Sequence, residues 1–479
     1  MLRVITHGVV LVAATLGVSQ SSSAVAADKP NILFLFADDQ AFDTIHSLGN
    51  DEIQTPNLDR LVKRGTTFTR TYNMGSWSGA VCVASRTMLI TGKFLWNAEK
   101  DYRETSKRYL EKGRLWPQLM QAAGYDTYFT GKWHIRADAT KAFKVAEHVR
   151  RGMPNQTPAG YNRPIDGQPL KWTPWDPQFG GFWKGGKHWS EVVGDDAIEY
   201  LDMAKQSDNP FFMYIAFNAP HDPRQSPKEY VDRYPLDRIS IPRSFVPEYP
   251  FNEAMAAGRK LRDERLAPFP RTEYSVKVNR QEYYAIITHM DDQIGRILDA
   301  LEKSGQADNT YIFFSADHGL AVGRHGLMGK QNLFDHSVRV PMMVVGPDVP
   351  AGEKRDASVY LQDIMATSLE LAGAERPDYV QFQSLLPRIK DASKPGYESI
   401  YGAYLQAQRM ITHDDHKLIL YPAARRAILY NLADDPEELT DLYARKELRP
   451  VAKQLFARLL ELQKEIGDSL DLRTTFPEL

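Results

Sequence analysis

The sequence predicts an α/β protein: a large, mostly parallel β-sheet flanked by helices, followed by a smaller C-terminal antiparallel sheet with a helix. Three observations carry this prediction. Strand-length runs of continuous hydrophobicity recur along the chain, and such runs signal burial on both faces, as in the central strands of a parallel sheet. Segments with apolar residues at three- and four-residue spacing lie between them, as helices covering that sheet would. Beyond about Glu398 the texture changes to a succession of short strand patterns and one amphipathic stretch.

Taken in order, residues 1–26 read as a secretory signal, with Arg3 at the positive end, an apolar core over 8–18 and Ala24-Val25-Ala26 as the cleavage site. The expectation is an exported protein, periplasmic or extracellular, with no membrane anchor after cleavage. Residues 31–37 form the first buried strand and end in Asp38-Asp39. Similar runs over 125–130, 211–217 and 311–316 end in Gly131-Lys132-Trp133-His134, Asn218-Ala219-Pro220-His221 and Asp317-His318-Gly319. In open α/β sheets the site lies beyond the carboxyl ends of the strands, so these polar ends are expected to converge. Helical spacing covers 57–63, 115–122, 195–204 and 282–303, and 340–346 reads as a further strand with Pro341 near its start. Residues 153–190 are rich in Pro, Gly, Asn and aromatics without periodicity, the texture of a long functional loop. The strand patterns after Glu398 and a helix over 450–466 complete the chain. The expected division is 27–394 as the large domain and 395–479 as a small α+β subdomain.

Composition narrows the function. The 479 residues carry a net charge of −2 with a mean hydropathy of −0.44, which gives no bulk electrostatic case for nucleic acid or membrane as a partner. Cys82 is the only cysteine, so no disulfide can form within the chain. It is either an inert core thiol or a residue kept for its chemistry. Small and polar residues (Gly75, Ser76, Ser78, Gly79) precede it and a helix-forming run follows it, which puts Cys82 near a helix N-terminus where free N–H groups favour anions. Asp38 and Asp39 side by side admit two readings, one capping a turn with the other solvated, or both facing a cation. Asp317 at a second strand end adds a third carboxylate, and His318 follows it. Such an oxygen-rich site suits a hard divalent cation, calcium ahead of magnesium because irregular coordination is easier for it.

Cys82-Val83-Ala84-Ser85-Arg86 followed by Thr91-Gly92 resembles the signature of the formylglycine-dependent (type I) sulfatases of the alkaline-phosphatase-like superfamily, with alanine where proline is usual. The resemblance implies that a formylglycine-generating maturase oxidises Cys82 to an aldehyde. It also implies that Asp38, Asp39, Asp317 and His318, joined by modified Cys82, bind the divalent metal. Gly131-Lys132-Trp133-His134 is similar to a second family motif, although Ile135-Arg136 replaces the usual Leu-Gly. By the same resemblance Lys132 and Lys330 bind sulfate, His134 contacts the formylglycine hydrate, His221 protonates the leaving group and Arg86 stabilises the hydrated aldehyde. One hydroxyl of the hydrate would attack sulfur and the other would expel sulfate as the aldehyde reforms. His325 matches the family spacing, with a structural or a substrate-facing role both open.

The expected substrate is a sulfate ester, on a sulfated carbohydrate. Trp172, Trp175, Phe179, Trp183 and Trp189, interspersed with Lys171, Lys184, Lys187 and His188, would form a sugar platform or instead pin the long loop to the body. Two other readings remain: a phosphonate or phosphate ester hydrolase of the same superfamily, and a non-catalytic glycan-binding relative whose Cys82 is never converted.

Overall fold

The computed structural model describes residues 29–154 and 156–479; the expected signal segment lies outside the described residues. Its main sheet has eight strands in the order Glu353–Arg355, Thr66–Phe68, Met342–Val345, Thr310–Ala316, Asn31–Asp38, Phe211–Pro220, Asp126–Lys132, Val145–Arg150. The last five of these run parallel. Every residue of Asn31–Asp38, Thr310–Ala316 and Phe211–Pro220 is buried, which accounts for their unbroken hydrophobicity.

Alternation along the strands separates two helical layers. Phe34, Phe212 and Tyr214 meet Trp116 of the helix Trp116–Ala122, and Phe129 joins them on that face through Tyr214. Its neighbour Tyr128 points the other way, onto Tyr200 of the helix Trp189–Ala204. That helix packs on Glu273–Ser304, which also carries Pro56–Arg64. The helix Val81–Thr91, holding Cys82, packs on the Trp116 side against Trp116–Ala122.

Residues 340–346 do not form one strand. Pro341 has no N–H to give to a ladder, and the run divides there. Arg339–Val340 pairs with Thr71–Tyr72 in a separate three-stranded sheet, whereas Met342–Val345 enters the main sheet antiparallel to Thr310–Ala316. The smaller sheet has four antiparallel strands, Ser399–Tyr404, Gln408–His413, His416–Tyr421 and Arg426–Asn431, covered by the helix Arg449–Ile466. A fifth strand, Gly75–Ser76, joins it in parallel from far upstream. Gly75 has φ +86°, and a Cβ there would lie 1.9 Å from the Ala403 carbonyl oxygen, so only glycine allows this pairing. The loop leading to Cys82 is thereby tied to the C-terminal sheet.

A buried ion cluster reinforces that junction. The Lys417 ammonium lies 2.8 Å from Asp335 Oδ1 and 2.7 Å from Glu438 Oε1, with all three side chains buried. Lys417→Met leaves two buried carboxylates without their cation. It should cost about 3–5 kcal/mol, read as a lower denaturant midpoint; an unchanged midpoint would show that the cluster contributes nothing to the junction.

Candidate active site

Four neighbouring parallel strands deliver polar residues to one edge of the sheet. Asp38 ends Asn31–Asp38, Lys132 ends Asp126–Lys132, His221 follows Phe211–Pro220, and Asp317 follows Thr310–Ala316. The backbone is irregular at these tips: Asp39 has φ +71° and His134 φ +57°, conformations that side chains other than glycine seldom adopt. Gly131, at φ +95°, sits where a Cβ would meet the Ala216 carbonyl oxygen at 1.9 Å, and the register against Val145–Arg150 shifts there. Cys82 is the second residue of the helix Val81–Thr91, whose N-cap Ala80 supplies no side-chain bond, so the positive end of the helix dipole faces the site without a side-chain cap.

These residues meet. Cys82 Sγ lies 3.3 Å from His318 Nε2, 3.7 Å from Lys330 Nζ and 4.0 Å from Asp39 Oδ1. The Lys132 ammonium donates to Asp38 and the Lys330 ammonium donates to Asp39 at 2.6 Å. Arg86 Nε donates to Asp317 Oδ2 at 3.0 Å and its Nη1 donates to the Lys132 carbonyl at 2.7 Å, leaving Nη2 without a hydrogen-bond partner. The arginine expected to face Cys82 thus spends most of its donors bracing the acidic edge. His318 Nδ1 donates to the Gly319 carbonyl at 3.0 Å, which leaves Nε2 free to ligate. His221 Nδ1 donates to the Asp222 carbonyl at 2.8 Å, and its Nε2 lies 2.8 Å from Lys330 Nζ.

Burial and crowding set the electrostatics. Burial alone would raise the Cys82 thiol, yet Lys132, Lys330 and His318 hold it well below the ordinary thiol value. Burial, with Asp38 beside it, pushes Asp317 up to about 7 against the pull of His318 and Arg86. His134 is held below the ordinary imidazole range, first by burial and then by the Lys132 charge, and its Nδ1 is buried without a partner.

The donors fit a divalent cation. Asp38, Cys82, Asp317 and His318 offer ligand atoms all within 4.8 Å of one another, as do Asp38, Asp39, Cys82 and His221. Asp38 Oδ1 is buried with no hydrogen-bond partner and has only the Arg86 Nη2 at 3.8 Å, an acceptor atom of the kind a cation satisfies. Three carboxylates and an imidazole are a hard donor set suited to calcium or magnesium.

A cleft of about 430 Å³ opens over Cys82, His134 and Lys330, walled by Met153, Leu261, Arg262, Asp263 and Gln331. Sequence reasoning missed Asp222, Arg262, Asp263 and Gln331. Arg262 Nη2 donates to Asp222 Oδ1 at 3.1 Å and its Nε to Asp263 Oδ1 at 2.7 Å, while Gln331 Nε2 donates to Asp263 Oδ2 at 2.7 Å. Asp222 was signalled by its place beside His221 and Gln331 by its place beside Lys330; Arg262 and Asp263 lie in an irregular stretch with no periodic signal.

His325 stacks on Phe334 at 4.0 Å and hydrogen-bonds the Glu438 carbonyl at 3.0 Å, beside a different cleft. Of the five aromatics singled out in the long loop, Trp172 and Trp189 are buried and Trp175, Phe179 and Trp183 are half-buried. Trp172 is 1% exposed under the Arg163 guanidinium, and Trp189 begins a main-sheet helix with Arg150 over its ring. Neither lines the cleft over Cys82.

Comparison with known proteins bears on the whole chain. The sequence model of the family described as Sulfatase matches residues 30–374, and that described as N-sulphoglucosamine sulphohydrolase, C-terminal, matches residues 323–465. N-acetylglucosamine-6-O-sulfatase of Bacteroides thetaiotaomicron is 25% identical over 516 residues, covering 92% of this chain and 87% of that one. Choline-sulfatase of Rhizobium meliloti is 26% identical, covering 86% and 82%. A protein solved in complex with its substrate D-glucosamine-2-N,6-O-disulfate superposes with a TM-score of 0.72 at 23% identity, covering 92% and 99%. Phosphonate monoester hydrolase of Agrobacterium radiobacter superposes with a TM-score of 0.70 at 21% identity, covering 91% and 96%. At these identities the structural likeness establishes the shared fold.

The donor set makes a direct prediction. Calcium added to metal-free protein should raise its unfolding temperature, with a stabilisation of about 2.7 kcal/mol at about 100 times the Kd. Asp317→Asn should abolish that rise, and a parent protein indifferent to calcium and magnesium alike would contradict the assignment.

Proposed function

The chain belongs to the sulfatase family and is a sulfuric ester hydrolase, and on that premise we propose that it is exported and cleaves sulfate monoesters of a sulfated carbohydrate at Cys82. The observation that carries the catalytic reading is the meeting of the sole thiol with Asp38, Asp39, Asp317, His318, Lys132 and Lys330 within one buried site. The carbohydrate reading draws on relatives such as the N-acetylglucosamine-6-O-sulfatase and on an ulvan-active sulfatase of Formosa agariphila, 25% identical over 459 residues. Export draws on the charged, apolar and Ala-x-Ala pattern of residues 1–26.

When bound, calcium would polarise the sulfate as a Lewis acid, and a formylglycine made from Cys82 by a maturase would supply a nucleophile that regenerates itself. The chain's own residues prepare for both. Asp38, Asp39, Asp317 and His318 would hold the cation. Lys132 and Lys330, with Arg86 behind them, place positive charge where the sulfate oxygens gain negative charge in the transition state. His221, fixed by its Nδ1 bond to Asp222, shares a proton between Nε2 and Lys330 Nζ and presents it to the departing oxygen. His134, neutral and with an unpartnered Nδ1, takes a proton from the group at position 82. Met153 and Leu261 give the cleft an apolar stretch of wall suited to a sugar face.

Mass spectrometry of the Cys82 peptide from the native host should show the aldehyde in place of the thiol, and an unmodified thiol in active protein would refute the mechanism. Cys82→Ala should abolish turnover without lowering the unfolding temperature. Aryl sulfate should be turned over faster than aryl phosphate or phosphonate, and the opposite order would favour the phosphonate hydrolase reading. Because His134 acts as a base and titrates below the ordinary imidazole range, the rate should fall only as pH drops below that range. A fall beginning above it would assign the base to another group.

A further inference from the structure

A second cleft, of about 480 Å³, lies at the far end of the helix Val81–Thr91 that carries Cys82. Lys93 follows the C-terminus of Val81–Thr91, so roughly 15 Å of helix separates this cleft from the catalytic one. Its walls carry five cations and two acids. Arg108 takes up both acids, at 2.5 Å from Asp101 and 3.1 Å from Glu104. Lys93, Lys107, Lys112 and Arg114 remain, and none of their side chains has a hydrogen-bond or ion-pair partner among the described residues.

These cations are gathered rather than scattered. The Lys93 ammonium and the Arg114 guanidinium both sit over Tyr379, at 5.6 and 5.1 Å from the ring centroid, and Tyr109 meets the same ring edge-on at 5.9 Å. Burial, with the Arg114 charge adding to it and Asp101 opposing it, holds the Lys93 ammonium below its ordinary value, a penalty that a bound anion relieves. The chain as a whole is at −2, so its general field does not attract polyanions and attraction must be local.

We propose that this cleft is a second, non-catalytic binding site for a sulfated polysaccharide chain, which rests on the reading that the substrate is a sulfated glycan. With cations over Tyr379, that ring offers little free face for stacking a nucleic-acid base, and recognition falls to separate contacts with pendant sulfates. A polymer held here stays attached to the protein between turnovers, which raises its effective concentration at the catalytic cleft.

The test compares the full-length parent with the triple variant Lys93→Gln/Lys112→Gln/Arg114→Gln and with a control of equal charge change, Lys205→Gln/Lys453→Gln/Lys464→Gln, whose positions are exposed elsewhere. Dextran sulfate binding is measured by titration calorimetry, and turnover of a small aryl sulfate is measured in parallel. The cleft variant should bind dextran sulfate about tenfold more weakly or worse, the control within about twofold of the parent, and aryl sulfate turnover should be unchanged in both. Parental affinity in the cleft variant overturns the proposal, as does an equal loss in the control. Duplex DNA bound as tightly as dextran sulfate and with the same loss in the variant overturns it too, in favour of a nucleic-acid site. Absence of aryl sulfate turnover in the parent would instead sink the catalytic reading, while the calorimetry still decides whether this cleft binds the polymer.

Discussion

The structure depends on packing three carboxylates together out of water. Asp38, Asp39 and Asp317 are each buried at the edge of one sheet, where like charges repel and desolvation penalises every one of them. The arrangement holds only because Lys132 is bonded to Asp38, Lys330 to Asp39 and Arg86 to Asp317. That matching of charge is also what a sulfate ester requires, since its anionic oxygens must meet positive charge before any nucleophile can approach. Stability and chemistry therefore draw on the same residues.

The parallel sheet supplies the geometry. Strands that are adjacent in space but distant in sequence release their polar residues at the same edge, so Asp39 and Lys330 lie 291 positions apart and 2.6 Å from each other. The C-terminal sheet contributes without touching the sulfur. It holds Gly75–Ser76 in register just ahead of Cys82, and Gln408 Nε2 donates to the Gln331 carbonyl beside Lys330 at 2.9 Å. A change in that sheet would be felt first in the loops that carry the thiol and Lys330.

Much of this was legible in the residues. Long apolar runs identify buried strands because burial on both faces leaves no polar alternation, and the abrupt change to Asp38-Asp39, Lys132 or Asp317-His318 marks where each strand meets the site. The short strands were not legible, because two residues such as Gly75 and Ser76 carry no period; their pairing is set by the partner Ser399–Tyr404. Pro341 was read as a tolerated start and proved to be a division, since a missing N–H is decisive only where ladders from two sheets compete. The cleft wall of Arg262 and Asp263 was invisible for a related reason: its residues are assembled by irregular backbone whose course depends on contacts made elsewhere. The direction of the loop tryptophans likewise depended on tertiary partners, Arg163 and Arg150, that composition does not specify.

The most direct test is anomalous diffraction from crystals of the matured protein grown with calcium. The account predicts one strong peak at the sheet edge, about 2.3–2.6 Å from carboxylate oxygens of Asp38, Asp39 and Asp317 and adjacent to His318 and residue 82. A catalytically competent crystal with no peak there, or with its cation held by other residues, would contradict the account.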